Sequence, residues 1–210
     1  MRIGRTICTL MAIATASVAL GQRIICQTSQ LRDGDLLFQV PPSENAITRS
    51  TAHGKDKPFD HVGIFHIEKG KPMVIEAVYE GVVETPFEEF AKRGKLMFIG
   101  RVRGADVGKS IENAKQHIGK PYDFVFSNGD QTLYCSELVE KSFVGKNGKK
   151  LFCTIPMSFH DQTGRILHYW EDFYSRRMMA VPEGAPGTNP MELSARKCVK
   201  IKYQWCGIDK

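Results

Sequence analysis

A chain of 210 residues is long enough for one ordinary domain with a real core and too short for two comfortable ones. With 42% hydrophobic and 25% charged residues it has the balance of a soluble globular protein, which excludes the disordered and fibrous classes. Basic residues outnumber acidic ones by 29 to 23, a formal charge of +6, yet no dense Lys/Arg tract is interleaved with aromatics, so no nucleic-acid partner is expected.

Arg2 and Arg5 precede an uncharged apolar stretch, Thr6 to Leu20, and Ala19-Leu20-Gly21 offers small residues at the two positions a signal peptidase reads. Together these predict a cleaved secretory signal over 1–21 and a protein that works in the periplasm or outside the cell. At about fifteen residues the run is short of the roughly 20 that a helix needs to span hydrocarbon, so no stable transmembrane anchor is expected. No Cys follows the small residues directly, and Cys26 comes too late for a lipoprotein anchor.

A single domain is expected over 31–210. Arg32-Asp33-Gly34-Asp35 reads as a turn and Leu36 to Val40 as a strand. The polar stretch from Pro41 to Pro58 is a loop with room for a short helix. HVGIFHI, from His61, alternates and is rich in β-branched and aromatic residues; MVIEAV, from Met73, and GVVET, from Gly81, follow it as an antiparallel meander. Thr85 as cap, Pro86 at the first position and Gly94 as stop predict a short helix. KLMFIGRV, from Lys95, is a further strand.

Ser110 to Ile118 is a helix closed by Gly119-Lys120-Pro121. Cys135 to Val144 is another, with Leu138, Val139 and Phe143 at helical spacing and Gly145 at its end. Val181 to Pro190 is a Pro/Gly-rich loop, and Arg196 to Trp205 a final strand whose Arg196, Lys197, Lys200 and Lys202 form a solvated face. The class is α+β, an antiparallel sheet packed against helices.

Cys135 opens a predicted helix, where free backbone N–H groups and the positive dipole end favour a thiolate and can receive an oxyanion. A base must come from elsewhere in the chain. His61 opens a strand directly after Asp60, and hairpin pairing of the next strand brings Glu76 near it, where a carboxylate fixes the imidazole tautomer. His66 falls on the other side of that strand and reads as structural.

Loss of Cys8 with the signal leaves an odd set, Cys26, Cys135, Cys153, Cys198 and Cys206, which in an oxidising compartment implies one unpaired thiol. With Cys135 free, the others either form two disulfides, Cys198 and Cys206 being close enough in sequence to pair, or stay as buried small hydrophobes. No Cys or His pair falls at zinc-ligand spacing beside a second such pair, so neither a metal nor a cofactor is expected.

The stretch IGKPYDFVFSNGDQTLYCSELVEKSF resembles the nucleophile region of the NlpC-type peptidoglycan hydrolases, which are papain-like. The matching elements are Gly119, Tyr122, Gly129, Cys135 and Ser136. Because the His precedes the Cys, the order is similar to the circularly permuted branch, the YiiX/YaeF-like amidases, which share a layout with lecithin retinol acyltransferase. LRDGDLLF, HVGI, IEAV with GVVETP, and YDF with YCSELV match that branch in order over Leu31 to Val144.

The resemblance implies a circularly permuted papain-like (NlpC-type) fold with the nucleophile at a helix N-terminus. Cys135 is then the nucleophile, His61 the base and Glu76 the orienting acid, while Tyr122, Tyr134 and Ser136 line the substrate site. Two departures stand out. An Asp usually precedes the Cys and suits a substrate amine, but Tyr134 stands here, and Glu137 replaces the Gly that usually follows Cys-Ser.

The expected function is that of an exported, monomeric cysteine hydrolase. It cleaves an amide, in a cell-wall peptide or an N-acyl compound, through a thioacyl-enzyme. One alternative passes the acyl group to a lipid or other acceptor, helped by an apolar cleft drawn from Phe124, Phe126 and Phe159. Another is a papain-like shell that only binds wall material.

Overall fold

The structure, a computed structural model, describes residues 23–52 and 57–206. The expected signal over 1–21 lies outside the described residues. A short strand β1 (Arg23–Ile25) precedes β2 (Asp35–Val40), and the loop after it carries helix α1 (Ala46–Thr51), opened by a capping box between Asn45 and Thr48. The alternating run then forms β3 (His61–Glu68), β4 (Lys71–Val78) and β5 (Gly81–Pro86), the expected antiparallel meander.

Helix α2 (Phe87–Arg93) follows, with Pro86 and not Thr85 at its N-cap; Thr85 is still in the strand, and its hydroxyl donates to Glu76. Strand β6 (Leu96–Val102) and helix α3 (Val107–Gln116) come next, α3 starting three residues before the predicted Ser110 because Asp106 caps it through the Lys109 N–H. Helix α4 (Cys135–Ser142) begins where predicted.

The segment after α4 shows no clear period in the sequence. It holds β7 (Ile155–Pro156), α5 (His168–Ser175), β8 (Pro186–Gly187) and α6 (Pro190–Ala195), before the final strand β9 (Val199–Trp205).

The large sheet has seven strands in the order β1-β9-β6-β2-β3-β4-β5. It is antiparallel as expected except at one edge, where β1 runs parallel to β9. One face packs against α4 through Leu36, Phe38, Val62, Ile64 and Ile75, meeting Leu138, Val139 and Phe143. Leu37, Phe65 and Val74 cover the other face together with Phe87 and Phe90 of α2 and Trp205. A third cluster, around Trp170 and Tyr174 of α5, gathers Met157, Phe159 and Leu167.

Burial on both faces holds the middle strands in register, since a one-residue slip would send each apolar side chain to the wrong face. Two glycines allow close approaches that set the site. A Cβ on Gly63 would lie 2.4 Å from Val74 and 2.9 Å from the Phe90 ring, so only Gly lets α2 seat on the sheet there. Gly81 has φ +111°, and a Cβ on it would meet the Lys120 carbonyl oxygen at 2.4 Å. That carbonyl accepts the Val82 N–H at 2.8 Å, strapping the segment before Tyr122 onto the sheet.

Candidate active site

The strap at Lys120 continues into a ladder that carries Tyr122 to the foot of α4. The Leu133 N–H donates to the Pro121 carbonyl and the Asp123 N–H to the Leu133 carbonyl, each at 3.1 Å. Tyr134 then turns with extended dihedrals, and Cys135 is the first residue of α4. Tyr134 makes no side-chain cap, so the amide hydrogens of the first turn lack an intrahelical acceptor. Cys135 is 5% exposed, its thiol at the floor of a cleft.

His61 is the first residue of β3 and stands beside the Cys135 thiol, near enough to bear on its charge. Its Nε2 lies 2.7 Å from Glu76 Oε2. Continuing the register in which Ile64 faces Ile75, Glu76 falls opposite Gly63, two residues from His61 on the same face. Glu76 is fully buried. Its other oxygen, Oε1, accepts from Thr85 Oγ1 at 2.6 Å and from the Arg93 guanidinium. A buried carboxylate needs several donors to stay ionised, and this one has them.

Burial works against a charged His61, but its hydrogen bonds and charge contacts with Cys135 and Glu76 outweigh it and push the imidazole up to about 10. Glu76 is also opposed by burial, yet its partners, His61 first, hold it below the ordinary carboxylate range. Burial, then the proximity of Cys135, raises the Tyr122 phenol well above its usual value.

The sequence-predicted residues Cys135, His61 and Glu76 thus come together as one chain of contacts. Tyr122, Tyr134 and Ser136 all line the cleft. Burial raises Tyr134 to about 12. Its hydroxyl accepts the Thr188 N–H at 2.9 Å, and Ser136 Oγ accepts from Thr188 Oγ1 at 3.0 Å, so both polar groups are turned toward the 186–190 loop.

The cleft measures about 520 Å³ with its open mouth. Ile47, Phe126, Met157, Phe159 and Trp170 form its apolar wall. Phe124, expected there, is instead 41% exposed and packs edge-on against Tyr79 and Tyr122. Asp60 supplies a carboxylate in the wall, held by the Asn45 amide at 2.6 Å and raised above its ordinary value by burial.

Sequence reasoning does not point to Arg93, Thr85 or Thr188 as parts of the site. Thr188 lies in the Pro/Gly-rich stretch Val181 to Pro190, while Arg93 and Thr85 read as helix surface and helix cap.

No disulfide joins any two of the five cysteines among the described residues, so none links Cys198 to Cys206 despite their closeness in sequence. Cys198 sits beside Arg196 and Arg103, and Cys206 follows β9 with its N–H on the Ile25 carbonyl of the edge strand β1. Among the described residues no helix is long and apolar enough to cross a membrane.

Comparison with known proteins agrees with this architecture. The uncharacterized protein YiiX of Escherichia coli strain K12 is 35% identical over an alignment of 131 positions that covers 58% of this chain and 62% of that protein, so the match spans less than two thirds of its length. The crystal structure of the metalloprotein YiiX from Escherichia coli O157:H7 superposes with a TM-score of 0.69 at 25% identity, covering 84% of this chain and 99% of that one. Residues 30–198 match the model of the permuted papain-like amidases of the YaeF/YiiX type, and the chain belongs to that family.

Proposed function

We propose that this chain is an exported cysteine hydrolase that cleaves the amide bond of an N-acyl compound, with Cys135 as nucleophile, His61 as acid and base, and Glu76 as the group that orients His61. The observation that carries the reading is the sequence of neighbours from Cys135, which lines an apolar cleft, through His61 to the buried Glu76.

Cys135 Sγ attacks the amide carbonyl carbon. The oxyanion forms beside the N–H groups at the start of α4, with Tyr122 lining the same cleft near Cys135. His61, protonated, gives its proton to the leaving amine as the C–N bond breaks, and a thioacyl-enzyme remains. Water then attacks the thioester; His61 takes a proton from it, and the carboxylic acid leaves as the C–S bond breaks.

The wall of Ile47, Phe126, Met157, Phe159 and Trp170 favours an apolar acyl chain over a polar stem peptide, and Tyr134 in place of Asp removes the usual holder of a peptide amine. The same dry wall favours a second reading, transfer of the acyl group to an acceptor other than water. The solved relative is described as a metalloprotein. In this chain His61 Nε2 is held by Glu76, and among the described residues the group that fits a metal ion is His66, Glu68 and Glu84 on another part of the sheet.

The test uses mature protein, from about Gln22 onward, with a series of N-acyl amides of increasing chain length and a matched set of stem-peptide fragments. Release of amine that grows with acyl length, vanishes in Cys135→Ala and leaves an acyl adduct on Cys135 by mass spectrometry supports the proposal. Cleavage of the stem peptides alone would turn it to cell-wall chemistry, and no Cys135-dependent turnover of either set would leave a binding shell.

A further inference from the structure

His66 and Glu68 are two residues apart on β3, so their side chains leave the same face of the sheet. Glu84 on β5 is opposite Ile75, which is opposite Ile64 on β3, and so shares that face with them. Across the intervening β4, one imidazole nitrogen and two carboxylate oxygens converge until all three lie within 4.8 Å of one another.

His66 is 1% exposed, and its Nε2 has no hydrogen-bond partner although Glu84 Oε1 is only 2.8 Å away. The two atoms are close but misaligned for a hydrogen bond. A misaligned contact at that distance is unfavourable for two groups that address each other and natural for two that address a third atom between them.

We propose that His66, Glu68 and Glu84 form a binding site for a divalent first-row metal ion, zinc by the character of its donors. One imidazole and two carboxylates match the mixed nitrogen and oxygen sets that take zinc at about 2.0–2.2 Å, with a fourth position left to water. Donors sharing one such ion sit about 3–3.5 Å apart, so the site closes by roughly 1 Å in side chains that are free to move. Glu68 and Glu84 are 32% and 27% exposed, which gives the ion a way in.

Lys115 of α3 ion-pairs with Glu68 and places a cation at the rim of the site. A dication can take the place of the Lys115 ammonium between the two carboxylates when the lysine, 38% exposed, swings out to water, Lys69 being the other cation that Glu68 feels. The bound ion would clamp β3 to β5 over β4, on the strands that also carry His61 and Glu76. Neither the ligand spacing nor the sequence order shows this site, because its third donor comes from two strands away.

The test is a cobalt(II) titration of metal-stripped protein in a Cys135→Ala background, which removes the active-site thiol as a competing ligand. One equivalent is expected, with visible absorption and no thiolate-to-cobalt charge-transfer band, displaced by zinc. Glu84→Gln and Glu68→Gln should each weaken binding at least about tenfold, Lys115→Met should tighten it, and the metal-induced rise in Tm should disappear in Glu84→Gln. Absence of binding, a thiolate band, or affinity indifferent to Glu84→Gln and Glu68→Gln would overturn the proposal.

Discussion

His61 Nε2 meets Glu76 Oε2 at 2.7 Å, although the imidazole is at the rim of the sheet and the carboxylate is fully buried within it. The pair therefore joins a partly exposed reactive group to a fixed internal charge. Glu76→Gln keeps the shape but removes the charge that sustains the imidazolium. The expected result is a fall in kcat of about 10²-fold or more with KM little changed, read from steady-state kinetics on any amide the enzyme turns over.

With the imidazole pushed up to about 10, His61 stays protonated across the neutral range. Alkylation of Cys135 by iodoacetamide at neutral pH should then be slower in His61→Ala than in wild type, since the neighbouring cation is gone. Peptide mapping by mass spectrometry separates Cys135 from the exposed Cys26 and Cys153. The raised imidazole also sets a stability slope. Its contribution is complete below its unfolded value near 6.5 and is lost as pH rises through about 10, so urea midpoints of wild type and His61→Ala should converge toward alkaline pH.

Much of this site was legible in the sequence because its chemistry is tied to element boundaries. Cys135 falls at a helix start and His61 at a strand start, and both boundaries carry local signals. The three-strand meander was equally plain, since His61 to Glu84 alternates with apolar residues on both faces. What the sequence hid was whatever depends on pairing between distant segments. Thr85 reads as a helix cap but points its hydroxyl at Glu76, because the β5 strand runs one residue further than the cap pattern suggests. The 145–198 region has short elements held by α5 and the 186–190 loop, too brief to show a period of their own.

Arg93 and Thr85 hold the far oxygen of Glu76. Glu76 is kept below the ordinary carboxylate range, so its contribution to stability is present above its unfolded value and is lost as pH falls through its folded one. Arg93→Met takes away one of the donors that depress it. Acid unfolding, followed by circular dichroism, should move to higher pH in this variant. Activity at neutral pH should fall by less than in Glu76→Gln, since His61 keeps its partner.

Glu137 presents the opposite case. It lies in the first turn of α4, 1% exposed, and neither carboxylate oxygen has a hydrogen-bond partner, the Lys141 ammonium standing 3.5 Å away. Burial, reinforced by Asp123 and only partly offset by Lys141, raises its carboxyl to about 7. Between the unfolded value near 4.5 and about 7 the folded chain holds a proton that the unfolded chain has lost, so stability falls with rising pH across that window and levels off above it. Glu137→Gln keeps the volume and removes the buried charge. It should stabilise the protein at pH 8 on the order of 2–3 kcal/mol, several degrees in Tm, and have little effect at pH 4.5. A thermal melt at the two pH values decides it: an equal shift at both would mean that packing, and not ionisation, governs this position.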